Sequence, residues 1–539
     1  MGDAKKKAAV AGLASILLVA AVVGVAVTVS KKGRAGEITT NTKAEEGICA
    51  STDYKDACRQ SIANSNSSDP RVIVQTAIDY TVGNVANVLK NSKLLKDAAA
   101  DPSTKNALDI CDEVLNRAVD DLKRSVNQIG SFDPSKADEI VEDLRTWLSA
   151  VITFEETCID AFENTTGDTG EKMKELLKMT KELSSNGLAM ATDIQGILSS
   201  LGIGDFASGR KLLWYEKREL ADLQPNAVVA VNGGGQFRSI NDAIKTVPEN
   251  NAKPFVILVK AGLYKEYVQI PKRKNFITIV GEGPDKTRII GNKNFIDGTK
   301  TYQSATVAID AEDFTAKDIA FENSAGPQKH QAVALRVSGD RALFHNVNLD
   351  GYQDTLYAHT YRQFYRFCRI SGTVDFIFGD ALSIFQKCIF VVRKPMDNQA
   401  CMVTAQGRID PRSQGAIVIQ GGSIEAEPAL LGAKPPIQTF LGRPWKELSR
   451  TVIMFCNIGG FIDPTGWSPW NGNFALDTLY YAEYGNTGPG ADTSRRVKWK
   501  GIQRFGPKDA ENWAAGKVYA GDQWIRASGI PYWPDLKMN

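Results

Sequence analysis

Residues 351–379 read GYQDTLYAHTYRQFYRFCRISGTVDFIFG, and Asp354 and Asp375 within them stand 21 residues apart (354 to 375). Each sits among glycine, aromatic and small polar residues. Two carboxylates held close together cannot both ionise freely, so one pKa rises and the pair titrates together. Such a pair supplies one proton donor and one anion near neutral pH. Other residue types complement it. Gln331 opens QAVALR and Gln353 precedes Asp354, and their amides can donate to an oxyanion. Arg443, in LGRPW, can grip a carboxylate with two hydrogen bonds and keep it ionised. Trp445 beside it offers an aromatic face on which the C–H face of a sugar ring can pack. Taken singly, these are also ordinary turn aspartates and surface amides.

Other chemistries lack their residues. The sequence has no GxSxG nucleophile elbow, no phosphate-binding P-loop and no CxxC pair. Asn232-Gly233-Gly234-Gly235 reads as a turn. With three histidines there is little basis for a metal site, and no cofactor is expected.

What positions the aspartates is a repeat. The segments AKDIAF (316–321), FHNVNL (344–349), YRFCRI (365–370) and FQKCIF (385–390) align with Ile319, Val347, Cys368 and Cys388 in one column. Segments 275–279, 420–424 and 455–458 fit the same frame through Ile277, Gly422 and Cys456. The steps from 319 onward are 28, 21, 20, 34 and 34 residues. One short strand per step predicts a solenoid of stacked coils, with strands about 4.8 Å apart. Asp354 follows Val347 by seven residues and Asp375 follows Cys368 by seven, so the two occupy equivalent places on neighbouring coils. Their carboxylates are then expected about 5 Å apart. The same column argument predicts a Cys368–Cys388 disulfide, with two stacked buried thiols as the rival arrangement. Cys401 and Cys456 have no such argument and are expected as free thiols.

The chain holds more than one domain at 539 residues. Lys5, Lys6 and Lys7 precede an apolar run of about 23 residues (8–30), long enough to span a bilayer and equally like a secretory signal. Residues 1–35 are therefore expected to be a signal peptide or signal anchor. Residues 48–205 carry a helical period, as in Leu108, Cys111, Val114, Leu115, Ala118 and Leu122. Asp101-Pro102 and Phe132-Asp133-Pro134 mark helix starts, and short links favour a four-helix bundle. Asn66 and Asn164 are glycosylation sequons. Residues 206–224 lose the period and carry Arg210-Lys211, a dibasic processing site at 210–213. From 225 to 539 the chain turns to short β-branched and aromatic runs, expected as a right-handed parallel β-helix. Residues 1–213 hold 25 basic and 30 acidic side chains, a balance of −5; residues 214–539 hold 39 and 32, a balance of +7. The back half favours an anionic partner that the front half can complement.

Two resemblances follow. Cys49 and Cys58 around a helix entry, Cys111 in ALDICDEVL and Thr157-Cys158 resemble the plant invertase/pectin methylesterase inhibitor family. That resemblance implies Cys49–Cys58 and Cys111–Cys158 pairing. GLYKE (262–266), QAVALR (331–336), GYQDTLY (351–357), GTVDFIFG (372–379), LGRPW (441–445), GWSPW (466–470) and YYAEYGNTGPGA (480–491) resemble the plant pectin methylesterases in order and spacing. One departure is Asn232-Gly-Gly-Gly where that family has Asp-Gly-Ser-Gly.

The second resemblance implies Asp375 as nucleophile on a galacturonate methyl ester and Asp354 as acid and base. It implies Gln331 and Gln353 around the oxyanion and Arg443 orienting Asp375. By the same analogy Thr301, Tyr357, Phe378, Trp445 and Trp467 line a sugar-binding groove. The expected partners are methylesterified pectin, a processing protease and a separate inhibitor protein. The expected setting is the cell wall after secretion, with the processed enzyme a monomer. Two other classes remain open on the residues: a β-helix glycosidase using the same pair, and a non-catalytic inhibitor or wall-binding protein.

Overall fold

The computed structural model describes residues 47–67, 69–193 and 224–536. The apolar run at 8–30 and the dibasic site Arg210-Lys211 lie outside them. The chain divides into two compact units, Met1–Pro134 with Phe154–Phe206, and Ser135–Thr153 with Ala207–Asn539.

The helical region runs α1 Lys55–Ile62, α2 Pro70–Ala98, α3 Pro102–Gly130, α4 Ala137–Asp160 and α5 Thr169–Thr192. Two of its starts are written locally. Asp69 caps α2 by accepting from Arg71 N, and Asp101 caps α3 by accepting from Thr104 N, each with proline at the first helical position. Helix α2 packs on α3 and α5. Disulfides Cys49–Cys58 and Cys111–Cys158 are both formed, as the inhibitor-like pattern implies. Asn66 and Asn164 are exposed.

The two units do not divide at the linker alone. Residues Ser135–Thr153, most of α4, group with the β-strands rather than with residues 48–134.

The second unit is a parallel β-helix. Among the described residues its strands form a 15-stranded and a 7-stranded sheet with parallel pairing throughout. The column found in the sequence is present. Val347 pairs with Ile319 and Cys388 with Gly422. Asn348 pairs with Arg369 and Arg369 with Ile389, which places Cys368 between Val347 and Cys388. Ser423 pairs with Asn457, so Cys456 continues the column.

Ile277 does not belong to it. Ile279 pairs with Ala316, whereas Arg288 pairs with Ala320, so Thr287 lies beside Ile319. An inserted turn at 281–286 splits that coil into two strands, and the sequence frame slipped across it.

The coils share a kink at the column. Asp318, Asn346, Phe367, Lys387, Gly421 and Phe455 all have positive φ, and each directly precedes its column residue. Gly422 is positive as well, and a Cβ there would lie 1.9 Å from the Cys388 carbonyl oxygen, so only glycine passes. Inside the coils, Phe344, Tyr365 and Phe385 stack at 4.7 and 4.6 Å between ring centroids, the spacing of the strands themselves.

The predicted Cys368–Cys388 disulfide is absent. Both are free thiols, as are Cys401 and Cys456. Cys368 Sγ lies 3.5 Å from the Phe344 carbonyl oxygen and Cys388 Sγ 3.5 Å from that of Tyr365. The thiols pack as small core groups bonded to neighbouring backbone, which is the rival arrangement. Burial pushes the Cys401 and Cys456 thiols up to about 12.

Candidate active site

Asp354 and Asp375 each stand two residues ahead of a short strand, Leu356–Ala358 and Ile377–Gly379. Leu356 pairs with Ile377, so the aspartates face each other on adjacent coils, as the seven-residue offset predicts. Asp354 N donates to Val374 O at 3.0 Å. Both residues hold positive φ, 65° and 50°. Non-glycine residues in that region cost free energy and gather where a side chain must be aimed. Both are buried, at 7% and 5% exposure.

Arg443 follows strand Thr439–Gly442 and is pinned by its N–H to Thr404 O at 3.0 Å. Its Nε donates to Asp375 Oδ1 at 2.9 Å and its Nη2 to Oδ2 at 2.7 Å. Burial raises the Asp375 pKa above its ordinary value, and the guanidinium charge and hydrogen bonds pull it back. Burial, rather than the neighbouring carboxylate, is what raises it. Asp354 also lies within electrostatic reach of Arg443.

Gln353 is adjacent to Asp354 in the chain, and its Oε1 is buried without a hydrogen-bond partner. Ala332 N donates to Gln353 O at 3.2 Å, which puts Gln331 on the next coil over, beside the same turn. Gln331 is half-buried.

An aromatic track leads away from the pair. Tyr357 and Phe378 stack at 4.3 Å, and Phe378 meets Trp445 edge-on at 5.8 Å. Trp445 rests on Gly407, where a Cβ would come within 2.7 Å of its ring. Thr301 begins a tight turn, Thr301–Gln303, and its carbonyl accepts from Ser304. The next residue, Tyr302, is the one that reaches the track, 6.4 Å from Tyr357 and edge-on, with Arg336 over its ring at 3.9 Å.

Trp467 is not in the groove. It is 2% exposed, packs on Tyr481 at 4.4 Å and donates to Glu483 Oε1 at 3.3 Å. It bridges Gly442 on the preceding coil, and that register turns its ring into the core. Trp470 is the exposed one of the two: it is 37% exposed, with the Arg443 guanidinium 4.3 Å over its ring. The signal was present in GWSPW, whose second tryptophan stands three residues beyond the first.

Stacked parallel coils carrying a carboxylate pair, one member clamped by an arginine, and an aromatic track define a β-helix hydrolase for an extended carbohydrate. Residues 226–522 match the pectinesterase family model, and residues 44–190 match that of the plant invertase/pectin methylesterase inhibitor. The chain belongs to the pectinesterase family and carries an inhibitor-family region ahead of the enzyme. An Arabidopsis thaliana pectinesterase/pectinesterase inhibitor is 44% identical over 98% of this chain and 75% of its own. A Petunia integrifolia pectinesterase is 48% identical over 67% of this chain and 98% of its own. The structure of a carrot pectin methylesterase aligns with a TM-score of 0.58 and 47% identity, over 58% of this chain and 99% of that one.

Proposed function

We propose that this chain demethylesterifies pectin, and that Asp375 and Asp354 divide the chemistry. An Asp375 carboxylate oxygen attacks the C6 carbonyl carbon of a methyl galacturonate unit. The negative charge moves to the carbonyl oxygen, which accepts hydrogen bonds from the Gln331 and Gln353 amides. Collapse breaks the C–O bond to the methoxy group, and Asp354 gives it a proton, so methanol leaves. An acyl-enzyme anhydride remains on Asp375. Asp354, now a carboxylate, takes a proton from water, and the hydroxide attacks the acyl carbon. The bond between the acyl carbon and Asp375 breaks and returns the Asp375 carboxylate, Asp354 keeps the proton from water, and the galacturonic acid product ionises in solvent as it departs.

The observation that carries this reading is the two-point Arg443–Asp375 contact. It keeps a buried carboxylate anionic and fixes its direction, which is what a nucleophile requires. Trp445 and Trp470 provide faces for sugar rings, beside Tyr357 and Phe378, which at 5% exposure each stack on one another beneath them.

Asp375→Asn and Asp354→Asn test the roles through methanol release from methylated pectin, each losing at least 10²-fold. Either variant near the parent rate refutes its role. New reducing ends without methanol would make the protein a glycosidase.

In our reading the chain is exported to the cell wall, glycosylated at Asn66 and Asn164, and cut at 210–213 by a secretory-pathway protease. Residues 48–205 restrain the enzyme before that cut. The freed enzyme is a monomer and meets separate inhibitor proteins of the same family as its own front region.

A further inference from the structure

Helix α4 carries a second pattern besides its apolar one. Glu142, Asp143, Thr146, Ser149 and Thr153 recur three and four residues apart, so they share one helix face. All five lie in the segment Ser135–Thr153, which is part of the β-helix unit. Each meets a group on the strands or their connecting turns. Arg362 Nη2 donates to Asp143 Oδ1 at 2.8 Å. Gln414 engages three stripe residues: its Nε2 donates to Glu142 Oε2 at 2.7 Å, its Oε1 accepts from Thr146 Oγ1 at 2.7 Å, and its backbone N donates to Ser149 Oγ at 3.3 Å. Thr153 Oγ1 donates to Asp380 Oδ2 at 2.8 Å.

This seat is largely buried and polar. Arg362, Asp380 and Gln414 are 6, 7 and 3% exposed, and Thr146, Ser149 and Thr153 are 2, 6 and 6%. Buried polar groups are stable only with partners, so seat and stripe specify one another. Both sides of the seat are also tied down independently. Arg362 is held by Asp340, with Nε to Oδ1 at 2.9 Å, and Asp380 Oδ1 accepts from Gln406 Nε2 at 3.1 Å. The seat therefore presents fixed donors and acceptors to the helix.

Its place matters. Asp380 directly follows strand Ile377–Gly379 and stands five residues past Asp375 (375 to 380). At about 3.3 Å per residue it lies roughly 16 Å along the chain from the nucleophile. Thr153 thus meets the turn that directly follows a strand beginning beside the aspartates.

We propose that residues 142–153 are a strap belonging to the catalytic unit, held by its polar stripe on Arg362, Gln414 and Asp380. Cutting the linker and releasing the strap are then two separate steps. A chain severed at 210–213 keeps its front fragment bound until the stripe lets go. The sequence boundary at 206–224 marks where the chain is cut, and the Gln414 seat decides whether the pieces part.

The proposal rests on the reading that the chain is processed in its linker, but its test does not. A site-specific protease sequence inserted after Ala207 nicks the purified full chain, and analytical ultracentrifugation follows the two fragments. Fragments of the nicked parent should sediment as one complex. Glu142→Ala with Asp143→Ala and Thr146→Val should raise the dissociation constant at least tenfold. Gln414→Ala, which leaves the helix untouched, should do the same, which covers the case in which the triple variant misfolds. The proposal is overturned if the parent fragments separate at once, or if both variants stay within twofold of the parent. Methanol release is measured alongside, so that loss of esterase activity is seen separately from loss of the strap.

Discussion

Arg443→Ala is the sharpest test of the site. Asp375 and Arg443 are largely buried, with side-chain exposures of 8% and 21%, and share two hydrogen bonds at 2.9 and 2.7 Å. Removing one partner of a buried ion pair costs about 3–5 kcal/mol, because the remaining charge is left uncompensated. The part-exposed arginine argues for the lower end, about 3 kcal/mol. At about 1.4 kcal/mol per factor of ten, the carboxylate is disfavoured roughly a hundredfold. Burial already raises the Asp375 pKa, and loss of the guanidinium raises it further. Attack requires the anion, so activity should fall away from a higher pH as the solution is acidified. The assay is kcat/KM for methanol release against pH, which reports ionisation in the free enzyme. Arg443→Ala should move the acid limb upward and lower the rate about a hundredfold below it. Arg443→Lys keeps the charge but loses the fork, at about 1.5 kcal/mol, or roughly tenfold. An acid limb in Arg443→Ala that coincides with the parent's refutes the reasoning, whatever happens to the absolute rate.

The two tryptophans of GWSPW should separate cleanly. Trp470→Ala should fold normally and raise KM about tenfold, the worth of an exposed aromatic contact of roughly 1–1.5 kcal/mol, whereas Trp467→Ala should cost about 3–5 kcal/mol of stability in denaturant melts. Burial lifts Asp380 to about 7 from 3.8, with Thr153, Gln406, Arg408 and Arg450 facing it. A carboxyl raised on folding adds stability below its unfolded pKa that is lost as pH climbs from about 4 to 7. Melting temperatures at pH 4.5 and 7.5 should therefore differ more in the parent than in Asp380→Asn. Finally, alkylation should find no reactive thiol in the native chain and four after unfolding without reductant, at Cys368, Cys388, Cys401 and Cys456; a Cys368–Cys388 peptide would contradict the structure.

Much of the fold was legible because it repeats. Buried column residues recur once per coil, so Ile319, Val347, Cys368, Cys388, Gly422 and Cys456 align without any structure in hand. The same spacing brought Asp354 opposite Asp375. Helix starts at Asp101-Pro102 were legible because capping is a local interaction. The frame failed at Ile277 because an inserted turn changes register without changing composition.

What the chain order alone could not decide was direction and partnership. Trp467 and Trp470 are alike in sequence, and only pairing with Gly442 turns the first inward and leaves the second against Arg443. Cys368 and Cys388 share a column as expected, but shared position does not make a bond when each thiol packs against backbone carbonyls. The stripe on α4 reads as a solvated helix face until Gln414, from a turn 272 residues beyond Glu142, is folded against it. Residue type, period and spacing are properties of neighbours in the chain, so the sequence determined the coils, the caps and the aspartate pair. Contacts between distant segments depend on which face each strand presents, and only the folded chain decides that.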